Sequence, residues 1–99
     1  LHLIVANYRC RHGELDLVLE SGPLLVVCEV RYRAHADRIR LAATIDQRKQ
    51  RRIARATLHF LQQHRAFAER PVRFDVALIS GPLARPQVDW LADAFDADG

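Results

Sequence analysis

Residues 13–33, GELDLVLESGPLLVVCEVRYR, contain two apolar segments separated by a Ser-Gly-Pro turn at residues 21–23. Apolar residues alternate along the first segment, as in a strand with one buried face. They run almost unbroken along the second, as in a strand buried on both faces. Asp16 and Glu29 interrupt these segments where burial would favour Val or Ile. A buried carboxylate is costly without a partner, so each needs an arginine or a metal ion nearby.

The two acidic residues are expected to lie close to each other. If the strands pair across the turn, Asp16 and Glu29 come together, and two neighbouring carboxylates favour a cation between them. Mg²⁺ or Mn²⁺ prefers such oxygen ligands, completed by a backbone carbonyl and water. Arg31 lies two residues after Glu29 and therefore on the same strand face. The pattern predicts a site that activates water and stabilises charge on a phosphodiester under attack.

Positive charge is concentrated in the middle of the chain. Nine of the fifteen basic residues lie within residues 31–55, where only two aspartates oppose them, whereas four aspartates and no basic residue follow Pro86. This asymmetry favours a polyanionic partner, most commonly nucleic acid. A solvated helix face with an acidic tail is the alternative interpretation. The nine basic residues are Arg31, Arg33, Arg38, Arg40, Arg48, Lys49, Arg51, Arg52 and Arg55.

The strongest helix signal covers residues 44–64. Thr44 and Gln47 match a capping box at its start, and apolar side chains then recur at the i, i+3, i+4, i+7 spacing of a core-facing stripe. Lys49 and Gln50 extend this stripe into the first turns, where a hydrophobic residue would be cheaper. Either both point toward the acidic site, or Lys49 reaches solvent and Gln50 binds a backbone group. A separate stripe, placed for solvent or phosphates, holds Arg48, Arg52, Arg55 and His59.

The remaining segments predict an α/β fold with a mixed sheet of four or five strands and the helix on one face. Residues 72–80 read as a strand, in which Asp75 is expected to pair with an arginine of the helix. Residues 88–95 fit either an edge strand anchored by Trp90 or a short helix. On the strand before the first turn, Leu15, Leu17 and Leu19 should share one face.

Several features bear on the cellular context of the chain. It begins at Leu1 inside a strand-like segment, which we interpret as a fragment whose natural start lies upstream. No apolar run is long enough to span a bilayer and no signal peptide is visible, so no membrane association is expected. Cys10 and Cys28 lie in strand-like segments without metal-binding spacing, which favours buried thiols in a reducing cytoplasm.

The ordered segments of this chain resemble a known protein family. An Asp on one strand, Glu-x-basic on the next and then a helix is the pattern of PD-(D/E)XK nucleases, and the closer resemblance is to the YraN family, which is similar to archaeal Holliday junction resolvases. The segments that carry it are NYRCRHGELDLVLE, LLVVCEVRYR, IDQRKQRRI, RFDVALI and VDWLADAF. The resemblance implies a single domain over residues 1–99, with a restriction-endonuclease-like mixed sheet flanked by helices and the N-terminal helix missing.

The resemblance also implies roles for individual residues. Asp16 and Glu29 would bind Mg²⁺ or Mn²⁺, with the Val30 carbonyl as a third ligand. Arg31 stands where the family has its catalytic lysine, and Gln50 matches a glutamine that supports the site. The implied substrate is DNA, especially branched or structured DNA, and the resolvase-like relatives suggest a homodimer.

The arginine at position 31 opens an alternative. A guanidinium stays protonated, so Arg31 can stabilise charge but cannot act as a general base. The chain is then either a metal-dependent endonuclease or a nucleic-acid-binding module that has lost catalysis. A third hypothesis is purely structural, with Asp16 paired to Arg9 or Arg11 and Glu29 paired to Arg33.

Overall fold

The computed structural model describes residues 1–33 and 45–96, which form a five-stranded sheet with a long helix packed on one face. The strands lie side by side in the order in which they occur along the chain. In chain order the elements are β1 (His2–Cys10), β2 (Gly13–Ser21), β3 (Leu24–Arg33), α1 (Gln47–Gln63), a 3₁₀ turn (Arg65–Phe67), β4 (Val72–Ser80) and β5 (Gln87–Phe95).

The connections between the strands explain the mixed character of the sheet. Short turns join β1 to β2 and β2 to β3, so these pairs are antiparallel. The chain then passes through α1 before it enters β4, and a crossover of this length brings β4 parallel to β3. The strand β5 returns antiparallel to β4. The predicted α/β class and mixed sheet are confirmed, and the architecture is consistent with a nuclease-like sheet.

The helix starts later than the sequence predicts. Asp46 is the N-cap residue, and its carboxylate accepts a hydrogen bond from the backbone N–H of Lys49 at 2.9 Å. The helix therefore covers Gln47–Gln63 instead of residues 44–64. Aspartate is among the strongest N-cap residues, so the helix begins directly after Asp46 and needs no cap further upstream. Thr44, the predicted cap, lies outside the described residues.

The strand β5 settles the open assignment near the end of the chain. Its register with β4 shifts between Phe74 and Val76, and Asp93 adopts a positive φ of 54° at this irregularity. The expectation that Trp90 anchors the core is wrong, because its side chain is 40% exposed. An indole N–H needs a hydrogen-bond partner when it approaches the interior, and that of Trp90 finds Asp75.

Apolar side chains form one cluster on each face of the sheet. The cluster beneath α1 includes Leu15, Val27, Ile53 and Phe60, and the opposite face holds Leu19, Val26, Cys28 and Ala77. Leu17 packs with the second cluster. The prediction of one shared face for Leu15, Leu17 and Leu19 is therefore wrong. The last β2–β3 pair is Leu17 with Cys28. Leu15 lies beyond this pair, where β2 no longer follows β3.

Candidate metal and nucleic-acid site

An opening between two strands positions the first predicted site residue, Asp16. The β2–β3 ladder ends with the pair Leu17–Cys28, whereas β3 continues beside β4 as far as Arg33. Asp16 lies one residue beyond this last pair, and its Oδ2 accepts the backbone N–H of Val30 at 2.9 Å. The carboxylate thus satisfies a donor that the departing strand leaves unpaired. The structural hypothesis for Asp16 is not supported, because Arg9 pairs with Glu14 at 3.5 Å and Arg11 donates to His12 at 3.4 Å. The pairing of Glu29 with Arg33 concerns a side chain outside the described residues.

Glu29 lies across this opening and is almost fully buried, with 2% of its surface exposed. Arg31 Nη1 lies 3.2 Å from Glu29 Oε2, and Lys49 Nζ lies 3.7 Å from the same oxygen. Neither contact has the geometry of a hydrogen bond, and within the described residues Oε2 has no hydrogen-bond partner. A buried acceptor in this state is costly and requires an explanation.

The electrostatics of the pair oppose full ionisation. Burial raises the pKa of the Glu29 carboxyl, and the neighbouring Asp16 raises this pKa further through its charge and a hydrogen bond. Lys49 and Arg31 act in the opposite direction but do not reverse the shift. A cation bound between two such carboxylates would favour the charged form of both.

Arg31 occupies a position between two of the predicted metal ligands. Its Nη1 lies 3.2 Å from Glu29 Oε2 and donates to the Val30 carbonyl at 3.4 Å. The guanidinium therefore faces the acidic site, as the Glu-x-basic spacing predicts. It also places a fixed positive charge beside the carbonyl that the family resemblance assigns as a third ligand.

The first turn of α1 contributes Lys49 but not Gln50. Lys49 is the only lysine in the chain, and it reaches Glu29 as expected for a residue directed at the site. Gln50 instead donates its Nε2 to the carbonyl of Ile45 at 3.0 Å. Of the two interpretations offered for Gln50, the structure bears out the backbone contact.

The basic residues separate into those the structure describes and those it does not. On α1, the side chains of Arg48, Arg51, Arg52 and Arg55 are exposed, and none forms an ion pair with an acid among residues 1–33 and 45–96. Arg38, Arg40 and the side chain of Arg33 lie outside the described part of the chain. The predicted cationic helix face is therefore present on α1, whose first turn brings Lys49 to Glu29.

Sequence reasoning missed the contact of the β1–β2 turn with this helix. A Cβ at Gly13 would lie 3.7 Å from the Cβ of Arg52, and the His12 and His59 rings lie 6.2 Å apart between centroids. The only available signal was a histidine in the arginine stripe of the helix and another beside the turn glycine. Neither indicates which turn meets which helix.

Asp75 in β4 is a second fully buried acidic residue, and it lies on the opposite face of the sheet from Glu29. It is completely buried, and Arg73 donates two hydrogen bonds to its carboxylate, at 2.8 and 2.9 Å. The predicted helix arginine is thus the wrong partner. Residues two apart on one strand share a face, so Arg73 reaches Asp75 without crossing the sheet.

Comparison with known proteins shows the family of the chain. The model of the uncharacterised protein family UPF0102 matches residues 1–79. The chain belongs to the UPF0102 family. A UPF0102 protein of Stutzerimonas stutzeri is 40% identical over 97 residues, covering 98% of this chain and 81% of that protein. One from Xanthomonas campestris pv. campestris is 46% identical over 98 residues, covering 99% of this chain and 79% of that protein.

A third UPF0102 protein, from Alkalilimnicola ehrlichii, is 44% identical over 99 residues, which is the whole of this chain and 75% of that protein. The resemblance to the YraN family is confirmed, since UPF0102 is that family. The UPF0102 description supplies no activity, so the function must be argued from the site.

The two carboxylates of the site resemble the donor set that a small divalent ion uses. No group of three or more His, Cys, Asp or Glu side chains arranged to hold a metal occurs within residues 1–33 and 45–96. Asp16 and Glu29 supply two carboxylates, and the unsatisfied Glu29 Oε2 is the kind of acceptor that a cation completes. Mg²⁺ commonly uses only one or two protein carboxylates, with water and phosphate oxygens as its other ligands. The pair therefore fits such an ion.

Two further observations concern the reactivity of Cys28 and the presence of membrane-spanning helices. Burial raises the pKa of the Cys28 thiol to about 12, so this cysteine is not a nucleophile at neutral pH. Within the described residues, no helix has the length and apolar character needed to cross a membrane.

Proposed function

We propose that this UPF0102 protein binds DNA across the Asp16–Glu29 pair and hydrolyses a phosphodiester bond with Mg²⁺ or Mn²⁺. The observation that carries this proposal is Glu29 Oε2, a buried acceptor with no hydrogen bond in the described residues, beside a second carboxylate. The exposed arginines of α1 supply the positive surface that a sugar-phosphate chain requires. The resemblance to Holliday junction resolvases favours branched DNA as the substrate.

The residues of the site have different proposed roles. Asp16 and Glu29 would hold the ion, which activates water and stabilises charge on the attacked phosphate. Arg31, whose Nη1 is 3.2 Å from Glu29, would bind a phosphate oxygen as negative charge develops there. It keeps its proton throughout. Lys49, the one lysine, approaches the same carboxylate and can exchange a proton with the reacting groups.

A second candidate function follows from the position of Arg31. Its guanidinium already lies between Glu29 Oε2 and the Val30 carbonyl, at 3.2 and 3.4 Å. A fixed cation there neutralises part of the charge that a metal would neutralise. This observation favours a DNA-binding protein that retains the nuclease architecture without cleavage.

One experiment separates the two candidates. The protein is incubated with labelled four-way junctions and with duplex DNA, with and without Mn²⁺ or Mg²⁺, beside Glu29→Gln and the exposed control Glu69→Gln. Metal-dependent cleavage that Glu29→Gln abolishes and Glu69→Gln retains supports hydrolysis. If the unaltered chain binds DNA without cleaving it, and Arg31→Lys gains cleavage or tighter Mn²⁺ binding, the result supports the second candidate. The absence of any DNA binding contradicts both.

The oligomeric state and compartment remain predictions of this proposal. A symmetric four-way junction requires two cuts, so a twofold dimer of this chain is expected. Sedimentation of the protein alone and with a junction would detect it. Free Cys10 and Cys28 agree with the expected reducing cytoplasm.

A further inference from the structure

The turn between β1 and β2 lies along the arginine stripe of α1. At one end, Gly13 approaches Arg52 so closely that an added Cβ would touch the Arg52 Cβ at 3.7 Å. Two helical turns further along, the His12 ring meets the His59 ring edge to face, with centroids 6.2 Å apart. These two contacts join a turn and a helix that are almost forty residues apart in the sequence.

A hydrogen bond from β1 orients the His59 ring. The Tyr8 hydroxyl contacts His59 Nδ1, and the Tyr8 ring packs edge to face on Phe60 at 5.2 Å. When the Tyr8 hydroxyl donates to Nδ1, the ring proton of the neutral imidazole is on Nε2. Within the described residues, no hydrogen-bond partner contacts that Nε2–H.

Basic residues share the helix face of this donor. Arg52 and Arg55 precede His59 by seven and four residues, so all three lie on one helix face. Both guanidinium groups are exposed and lack an acidic partner in the part of the chain described. Arg11 adds a third cation, since its Nε lies 3.4 Å from His12 Nε2. The nearby Glu14 is engaged with Arg9.

We propose that His59, Arg52 and Arg55, with Arg11 and His12 of the turn, form a second phosphate-binding subsite. The subsite binds a backbone phosphate that is not the one cleaved. The identity of the DNA rests on the proposed function. Gly13 and Asp16 are three residues apart on β2, or about 10 Å of strand. The subsite therefore lies on one side of the acidic pair, where it would hold the DNA next to the reacting phosphate.

The test uses two amide replacements of His59 that preserve different halves of the imidazole. In Gln the amide nitrogen replaces Nε2, whereas in Asn the amide replaces Nδ1 and the outward donor is lost. Affinity for labelled duplex and four-way junction DNA is measured by fluorescence anisotropy. His59→Asn should weaken binding about fivefold, whereas His59→Gln should remain within about twofold of the unaltered chain. Thermal melts show whether both variants fold.

Arg52→Gln provides an independent arm. It should weaken binding to all sequences alike and lower the slope of log affinity against log salt by about one. Glu69→Gln, at an exposed site outside the stripe, serves as the control that should leave both values unchanged. A variant that fails to fold is replaced by Arg55→Gln, for which the same change in slope is expected.

Each other outcome overturns a stated part of the proposal. If His59→Gln binds worse than His59→Asn, then His59 serves only as a partner for Tyr8. If all variants bind as well as the unaltered chain, the subsite is wrong while DNA binding elsewhere stands. If the unaltered chain binds no DNA, both proposals are wrong. If millimolar inorganic phosphate shifts the His59 ring signals but DNA does not, the subsite serves free phosphate instead.

Discussion

Glu29 and Asp75 are two buried carboxylates on neighbouring strands, and the sheet surrounds them very differently. Glu29 is 2% exposed and leaves Oε2 without a hydrogen bond in the described residues, whereas Asp75 is 0% exposed and accepts four hydrogen bonds. Burial alone would raise the pKa of Asp75, but Arg73, the Asp93 N–H and Trp90 lower it overall. Burial raises the pKa of Glu29.

This contrast shows which property distinguishes a candidate site from a structural one. Both residues interrupt an apolar strand, so the sequence pattern is the same. At Asp75 the protein supplies donors from β4 and β5, and the negative charge stabilises the fold. At Glu29 the protein supplies two cations without hydrogen-bond geometry and a second carboxylate. An arrangement that costs stability is expected where function requires it.

The largest expected effect comes from removing the charge of Asp75. Asp75→Asn should lower the free energy of unfolding by about 3 kcal/mol, because it leaves a buried donor array without its anion. Urea denaturation measures this value. The fluorescence of Trp90, the only tryptophan, should also change, since its indole N–H donates to Asp75 at 2.7 Å. A loss below about 0.5 kcal/mol would remove the contrast with Glu29, because surface changes reach that size.

The matching change at Glu29 should have the opposite sign. Glu29→Gln is isosteric and removes a buried charge that the protein does not fully compensate, so the free energy of unfolding should rise by about 1 kcal/mol at pH 7. The same denaturation experiment applies. A marked loss of stability would instead identify Glu29 as a structural ion-pair partner of Arg31 and Lys49, and would weaken the proposed function.

The pH dependence distinguishes the two carboxylates by direction. The raised pKa of Glu29 means that its ionisation costs stability above that pKa, and this cost disappears as pH falls toward the ordinary value of about 4.3. The lowered pKa of Asp75 gives stability above about 3.9 that is lost as pH falls through the folded-state value. Stability curves of Glu29→Gln and Asp75→Asn should therefore converge on the unaltered chain at different pH values.

The last expected effect, no larger than that of Glu29→Gln, concerns the helix start that carries Lys49. Asp46→Ala removes the N-cap hydrogen bond to the Lys49 N–H and should lower the free energy of unfolding by about 1 kcal/mol. If the first turn loosens, Lys49 moves from Glu29 and the pKa of Glu29 should rise further. The pH above which the stability difference between Glu29→Gln and the unaltered chain reaches its full size would then increase when both carry Asp46→Ala. An unchanged value would show that Lys49 does not depend on this cap.

Much of the fold follows from patterns that are local in the sequence. Alternation and continuous apolar runs predict β2 and β3, and helical spacing predicts α1, because these periods decide which side chains one face can bury. The pattern of residues 88–95 does not distinguish a strand from a helix, since a short segment of this composition fits both. The Asp16–Glu29 pair was predictable because a tight turn joins their strands, whereas the partner of Asp75 was not.

The sequence by itself determined the class of fold, the helix with its arginine stripe, and the family to which the chain belongs. Tertiary structure alone decided that Glu29 Oε2 lacks a hydrogen bond, that Arg73 and Trp90 satisfy Asp75, and that the β1–β2 turn meets Arg52 and His59. Periodicity records how each segment divides its residues between core and solvent. The direction and donors of a buried charge depend on which distant segments pack together, and no local pattern encodes that choice.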